Sequence, residues 1–154
     1  MGNEKAQDLE KQADLVYQIS SLVASEAPEG WESIRFVAHK TSTVSAYETS
    51  IQRDGVEEVA RSSFSAMDLC GDLREEMYQP GLGAWFSFTL EIAADGRVTT
   101  LFDYDNEPVI SSADAENFVF EQKHFPRDEE HQPEWYRARL AEGERLIAER
   151  EAQE

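Results

Sequence analysis

Apolar residues recur along this chain with two periods, one helical and one strand-like, and the changes of period outline the fold. Between about Asp8 and Ala27, Leu15, Val16, Ile19, Leu22 and Val23 share one side of a helix with Tyr17 beside them, and Pro28-Glu29-Gly30 stops it. From Trp31 to Lys40 the period drops to two. Ile34, Phe36 and Ala38 alternate with Ser33, Arg35 and Val37, which predicts a strand with at least one buried face. Two further strand-like runs, Ser45 to Gln52 and Val56 to Ser62, flank Asp54-Gly55, a dipeptide that tolerates the left-handed backbone of a tight hairpin.

Helical spacing returns with Met67, Cys70, Leu73 and Met77 ahead of Pro80-Gly81, and Ser65 followed by Asp68 predicts a capped start. The second hairpin, Trp85 to Ala93 and Arg97 to Asp105, turns at Asp95-Gly96, and its register is decidable. A two-residue turn would oppose Phe88 and Asp103. A three-residue loop, Ala94-Asp95-Gly96 with Gly96 left-handed, sets Ile92 against Val98, Phe88 against Phe102 and Phe86 against Tyr104, keeping the apolar set on one face. Asp103 and Asp105 then share the opposite face with Ser87, Thr89, Glu91 and Thr99.

Beyond Val109 the signals weaken. Ser112 to Glu116 opens a short helix carrying Phe118, Val119 and Phe120, and Phe125-Pro126-Arg127-Asp128 reads as an irregular segment pinned by its aromatic. Pro133 suits the first turn of a last helix with Trp135, Leu140 and Ile147 inward and its end fraying over Arg150 to Glu154. With no repeat or linker, the expectation is one α+β domain over residues 1–154, its core about 8–148: an antiparallel sheet with N-terminal, middle and C-terminal helices packed against it.

Charge narrows the function classes. Fourteen Lys and Arg face 32 Asp and Glu, a formal net charge of −18, so nucleic-acid phosphates and anionic membrane surfaces are repelled. Met1 to Ala6 lacks the apolar core of a secretory signal, Ala6 stands where myristoylation wants Ser or Thr, and no segment has the length of apolar residues that a membrane span needs. One cysteine, Cys70, cannot form an intrachain disulfide and falls on an apolar stripe. These features place the chain in the cytoplasm as an expectation.

Little in the sequence concentrates catalytic chemistry. Asp103, Asp105 and Glu107 are the trio a metal or acid/base reading would use. A calcium loop begun at Asp103, however, would need Gly where Pro108 stands and Glu where Asp114 stands. His39, His124 and His131 have no zinc spacing, no serine sits in a nucleophile elbow, and Gly81-Leu82-Gly83 lacks the lysine of a phosphate loop. Trp31, Trp85 and Trp135 read as core anchors. The expectation is therefore a binding protein that is not an enzyme and uses no metal or cofactor.

Three stretches carry a resemblance. The N-terminal helix running into Pro28-Glu29-Gly30-Trp31-Glu32, the acidic and aromatic run Phe102-Asp103-Tyr104-Asp105-Asn106-Glu107-Pro108, and Phe125-Pro126-Arg127-Asp128-Glu129-Glu130-His131-Gln132-Pro133-Glu134-Trp135 resemble the YezG-like immunity family over roughly residues 10–140. The resemblance implies a bacterial antitoxin that neutralises a cognate secreted toxin of the LXG and related types, several of them nucleases, by stoichiometric occlusion in the cytoplasm. An acidic binder suits a basic toxin domain. Asp103, Asp105, Glu107, Asp128, Glu129 and Glu130 are carried as its partner-binding positions. Two readings of other classes stand beside it: a small metal-dependent hydrolase using Asp103, Asp105 and Glu107, and a generic acidic adaptor.

Overall fold

Five strands and four α-helices make up the computed structural model, which describes the backbone of residues 2–154 and side chains from Ala6 onward. The elements follow in the order α1 (Gly2–Glu26), β1 (Ser33–Lys40), β2 (Ser45–Arg53), β3 (Val56–Ala60), α2 (Phe64–Met77), β4 (Ser87–Ala93), β5 (Val98–Asp103), α3 (Ala115–His124) and α4 (Glu134–Ala152), with a 3₁₀ turn at Glu129–His131. The strands form one antiparallel sheet in the order β3-β2-β1-β4-β5, so the expected α+β class holds. Among the described residues no helix is long and apolar enough to cross a membrane.

The residues gather into two compact units, the first comprising Met1–Ala38, Tyr47–Met77 and Phe88–Phe102 and the second His39–Ala46, Tyr78–Ser87 and Asp103–Glu154. In the first, α1 packs on α2 through the stripe that the sequence predicts: Leu15, Ile19 and Val23 are buried, whereas Tyr17 is 71% exposed. The helix runs past its expected N-terminal boundary, since Asn3 to Gln7 carry no breaker. Ser63, not Ser65, caps α2. Its hydroxyl accepts from the Ala66 amide and donates to the Glu26 carboxylate, tying the start of α2 to the end of α1. Cys70 is fully buried beside Leu73.

In the central strand β1, Phe36, Val37 and Ala38 are buried in succession, so both faces of the strand are covered there. The β2–β3 hairpin pairs Arg53 with Val56 around Asp54 (φ 53°) and Gly55 (φ 75°), the left-handed pair that a two-residue turn requires. The β4–β5 hairpin adopts the three-residue loop. Ala93 N–H donates to Arg97 O, Gly96 N–H to Ala93 O, Gly96 sits at φ 90°, and Phe88 stacks on Phe102 at 4.8 Å with only 7° between the rings. Buried Phe88, Leu90 and Ile92 confirm the β4 face. Val98 departs from it: expected on the buried face, it is 42% exposed because β5 is an edge strand with a neighbour on one side only. The strand also ends at Asp103, so Asp105 lies in the turn beyond it rather than on the sheet.

In the second unit, α3 packs on α4. Asp114 caps α3 through a reciprocal pair with Asn117, so the helix starts beyond the expected Ser112. Phe86, Phe118 and Tyr136 form the centre of a cluster that Trp135 and Leu140 flank, with ring centroids 5.1 to 6.4 Å apart. Tyr136 and Gly143 are the buried residues of α4, while the expected inward residues Trp135, Leu140 and Ile147 are only partly covered. The final turn holds to Ala152 instead of fraying from Arg150, whose guanidinium pairs with Glu116 at 2.6 Å.

Candidate partner-binding site

The acidic residues of both sequence motifs lie in the second unit, and each set is built on a local turn. Leaving β5, the Asp103 carboxylate accepts the backbone amides of Asp105 and Asn106, each at 3.0 Å, and the Asn106 side chain at 2.8 Å. Partial burial pushes its pKa up, but the donors from Asn106 and Asp105 outweigh that and hold it below the usual carboxylate value. Asp103 is thus a turn-forming group. Its turn is fastened from α4: Trp135 Nε1 donates to the Asp105 carbonyl at 2.7 Å, which leaves the Asp105 carboxylate exposed.

Glu107 pairs with Arg139 at 2.8 Å, and this contact raises the guanidinium's pKa. The trio of Asp103, Asp105 and Glu107 therefore divides three ways, into a turn, solvent and an ion pair, and does not converge on a common point. That is not the arrangement a hydrolase reading of these three residues needs. The arginines of α4 are drawn in similarly, Arg145 to Glu149 and Arg137 to the Glu129 carbonyl.

The second motif is organised by a residue that the sequence reading passed over. Arg127 is only 4% exposed. Its guanidinium lies 4.5 Å from the Phe86 ring centre and donates to the carbonyls of Ala84 and His131, each at 3.0 Å. Its backbone N–H donates to Gln122 Oε1, and its carbonyl accepts from the side-chain amides of Gln122 and Gln132. Gly83 (φ 84°) makes room for it, because a β-carbon there would come within 2.5 Å of Arg127 Nε. Gly81 (φ 84°) serves the same strap, accepting the Asp128 N–H on its carbonyl at 2.8 Å. The Gly-Leu-Gly stretch is thus a seat for the 127–128 segment. Phe125, the expected pin, contributes a tilted contact with Tyr78 at 5.2 Å, but Arg127 is the deeper anchor.

Seated in this way, the 3₁₀ turn presents Asp128, Glu129 and Glu130 outward. Among the described residues, one group of carboxylate and imidazole donors lies close enough to share a cation. It comprises Asp128, Glu130 and His131, whose ligand atoms lie within 4.8 Å of one another. The three histidines have no zinc spacing in the sequence, so no motif announces this group. Next to it opens a cavity of about 530 Å³ lined by Leu82, Tyr104, Asp105, Arg127, Glu130 and His131, with Gln79, Gln132 and Pro133 completing the wall. The cavity joins one residue of the first acidic motif to two of the second. Only folding shows that meeting, since Asp105 and Glu130 are far apart in sequence. No protein-family model matches the chain, and no curated protein does.

Proposed function

We propose that this chain is an immunity protein that binds a basic toxin domain stoichiometrically and neutralises it by occlusion. The observation that carries the reading is a set of four exposed carboxylates, Asp105, Asp128, Glu129 and Glu130, two of which, Asp105 and Glu130, line one cavity, on a chain of net charge −18. Such a surface attracts a cationic partner over about a Debye length and raises its encounter rate. It repels phosphate backbones, which argues for binding a nuclease rather than its substrate. The sequence resemblance supplies the biological role, and the internal engagement of Asp103 and Glu107 favours a binding surface over a catalytic trio.

Co-expression with candidate toxin domains, followed by co-purification and a cell-protection assay, tests the reading. A one-to-one complex that protects cells is the expected result. Protection without a complex, or capture of no basic toxin domain from a panel that includes the products of neighbouring genes, would overturn it.

A further inference from the structure

We propose that the cavity beside the 3₁₀ turn receives a lysine or arginine side chain projecting from a protein partner. The inference rests on the reading of a basic partner and names what the site recognises.

Its walls are of two kinds. Leu82, Tyr104 and Pro133 supply apolar surface, and Asp105 and Glu130 supply exposed carboxylates. An aliphatic stem ending in a cation matches that division: the methylenes lie along the apolar wall and the charged head meets the carboxylates. One cation already lines the cavity, but Arg127 directs its guanidinium to the carbonyls of Ala84 and His131 and over Phe86, so it is spent within the wall. His131 Nδ1 stands 4.0 Å from the Glu130 carboxylate, so the imidazole borders the acidic side of the cavity. A volume of about 530 Å³ is within the range of concave ligand sites. An acidic or neutral side chain would leave both carboxylates unmatched. A metal ion held by Asp128, Glu130 and His131 is the competing occupant.

The test is an amide-resolved NMR titration of the full chain with Nα-acetyl-arginine methylamide and Nα-acetyl-lysine methylamide. Nα-acetyl-norleucine methylamide is the uncharged control, and zinc chloride is titrated separately. Saturable shifts at Leu82, Asp105 and Gln132 are expected with a cationic probe and not with norleucine, weakened about tenfold in a folded D105N/E130Q variant. No saturable shift at those amides, equal shifts with norleucine, or undiminished binding in the double variant would overturn the proposal. So would a response to zinc alone. Toxin capture with no fragment binding would remove this pocket while sparing the immunity reading, and fragment binding with no toxin capture would do the reverse.

Discussion

The guanidinium of Arg127 lies face-on to Phe86, 4.5 Å from the ring centre, while its terminal nitrogens reach the carbonyls of Ala84 and His131. A charge so nearly excluded from water is tolerated because planar donors and an aromatic face replace its hydration. One side chain thereby ties the backbone at Ala84 to the backbone at His131. Replacing it with Met would leave two carbonyls without these donors, at an expected cost of about 3 kcal/mol. Lys would recover only part of the loss, because an ammonium cannot reproduce the fork. Urea unfolding of R127M and R127K checks this, and equal stability of wild type and R127M would refute it.

Helix α4 approaches α3 at Gly143, where a β-carbon would stand 2.5 Å from the Ala115 carbonyl oxygen and 2.6 Å from Val119 Cγ2. In an exposed helix, Gly→Ala is stabilising by up to about 1 kcal/mol. Here the contact reverses the sign, because backbone cannot move aside as a flexible side chain can. G143A should destabilise by about 1 to 3 kcal/mol, as overpacking does. A rise in melting temperature for G143A would show that the helices separate at no cost.

Phe88 is fully buried and stacked on Phe102. Truncation to Ala removes the ring and leaves a cavity in the first unit, with an expected loss of about 3 to 5 kcal/mol by denaturant unfolding. Truncating Val98, exposed on the same hairpin, should cost far less. A large loss at Val98 would contradict the edge position of β5.

Asp103 gives a pH signature. Its folded pKa is lowered from 3.8, so its contribution is full above that unfolded value and is lost as pH falls through the lower folded-state value. The stability gap between wild type and D103A should therefore be present at neutral pH and close below about pH 3.8. Thermal melts across pH 2.5 to 7, the range chosen to bracket the ordinary carboxylate value of about 3.9, measure the gap. A gap that persists unchanged at the acid end would mean that the charge of Asp103 contributes nothing to its turn.

Much of the fold was legible because it rests on local signals. Asp54-Gly55 and Asp95-Gly96 fix two turns, the apolar alternation fixes the second register, and the α1 stripe is plain helical spacing. What the sequence did not disclose depends on distant meetings. The sequence assigns the pinning of the 125–128 segment to its aromatic, because nothing local announces that Gly83 leaves room for Arg127 or that Phe86 lies beneath it. Gly143 carries no local signal either, since what it accommodates is Ala115 on another helix. The candidate site was half legible: the acidic motifs stood out, but which carboxylates face inward is decided by the Asn106, Trp135 and Arg139 contacts.

Those contacts separate the six motif acids into two groups with different expected phenotypes. Asp103 and Glu107 work inside the molecule, so neutralising them should act first on stability, modestly for the half-exposed Glu107–Arg139 pair. Asp105, Asp128, Glu129 and Glu130 are exposed, and replacing them together by Asn or Gln should leave the melting temperature unchanged or raise it by relieving like-charge repulsion. Against a basic toxin domain the same fourfold variant should associate more slowly and with a weaker dependence on ionic strength, because the long-range field acts mainly on encounter. Dissociation should rise only for the positions that become desolvated against a toxin Lys or Arg, at a cost of about 2 to 5 kcal/mol each. Asp105 and Glu130, the two that line the cavity, are the expected ones. Stopped-flow association at several salt concentrations, paired with melting curves of each variant, distinguishes the groups. If the fourfold variant binds with unchanged rate and salt dependence while D103A or E107Q alone slows binding, the partner surface lies elsewhere on the chain.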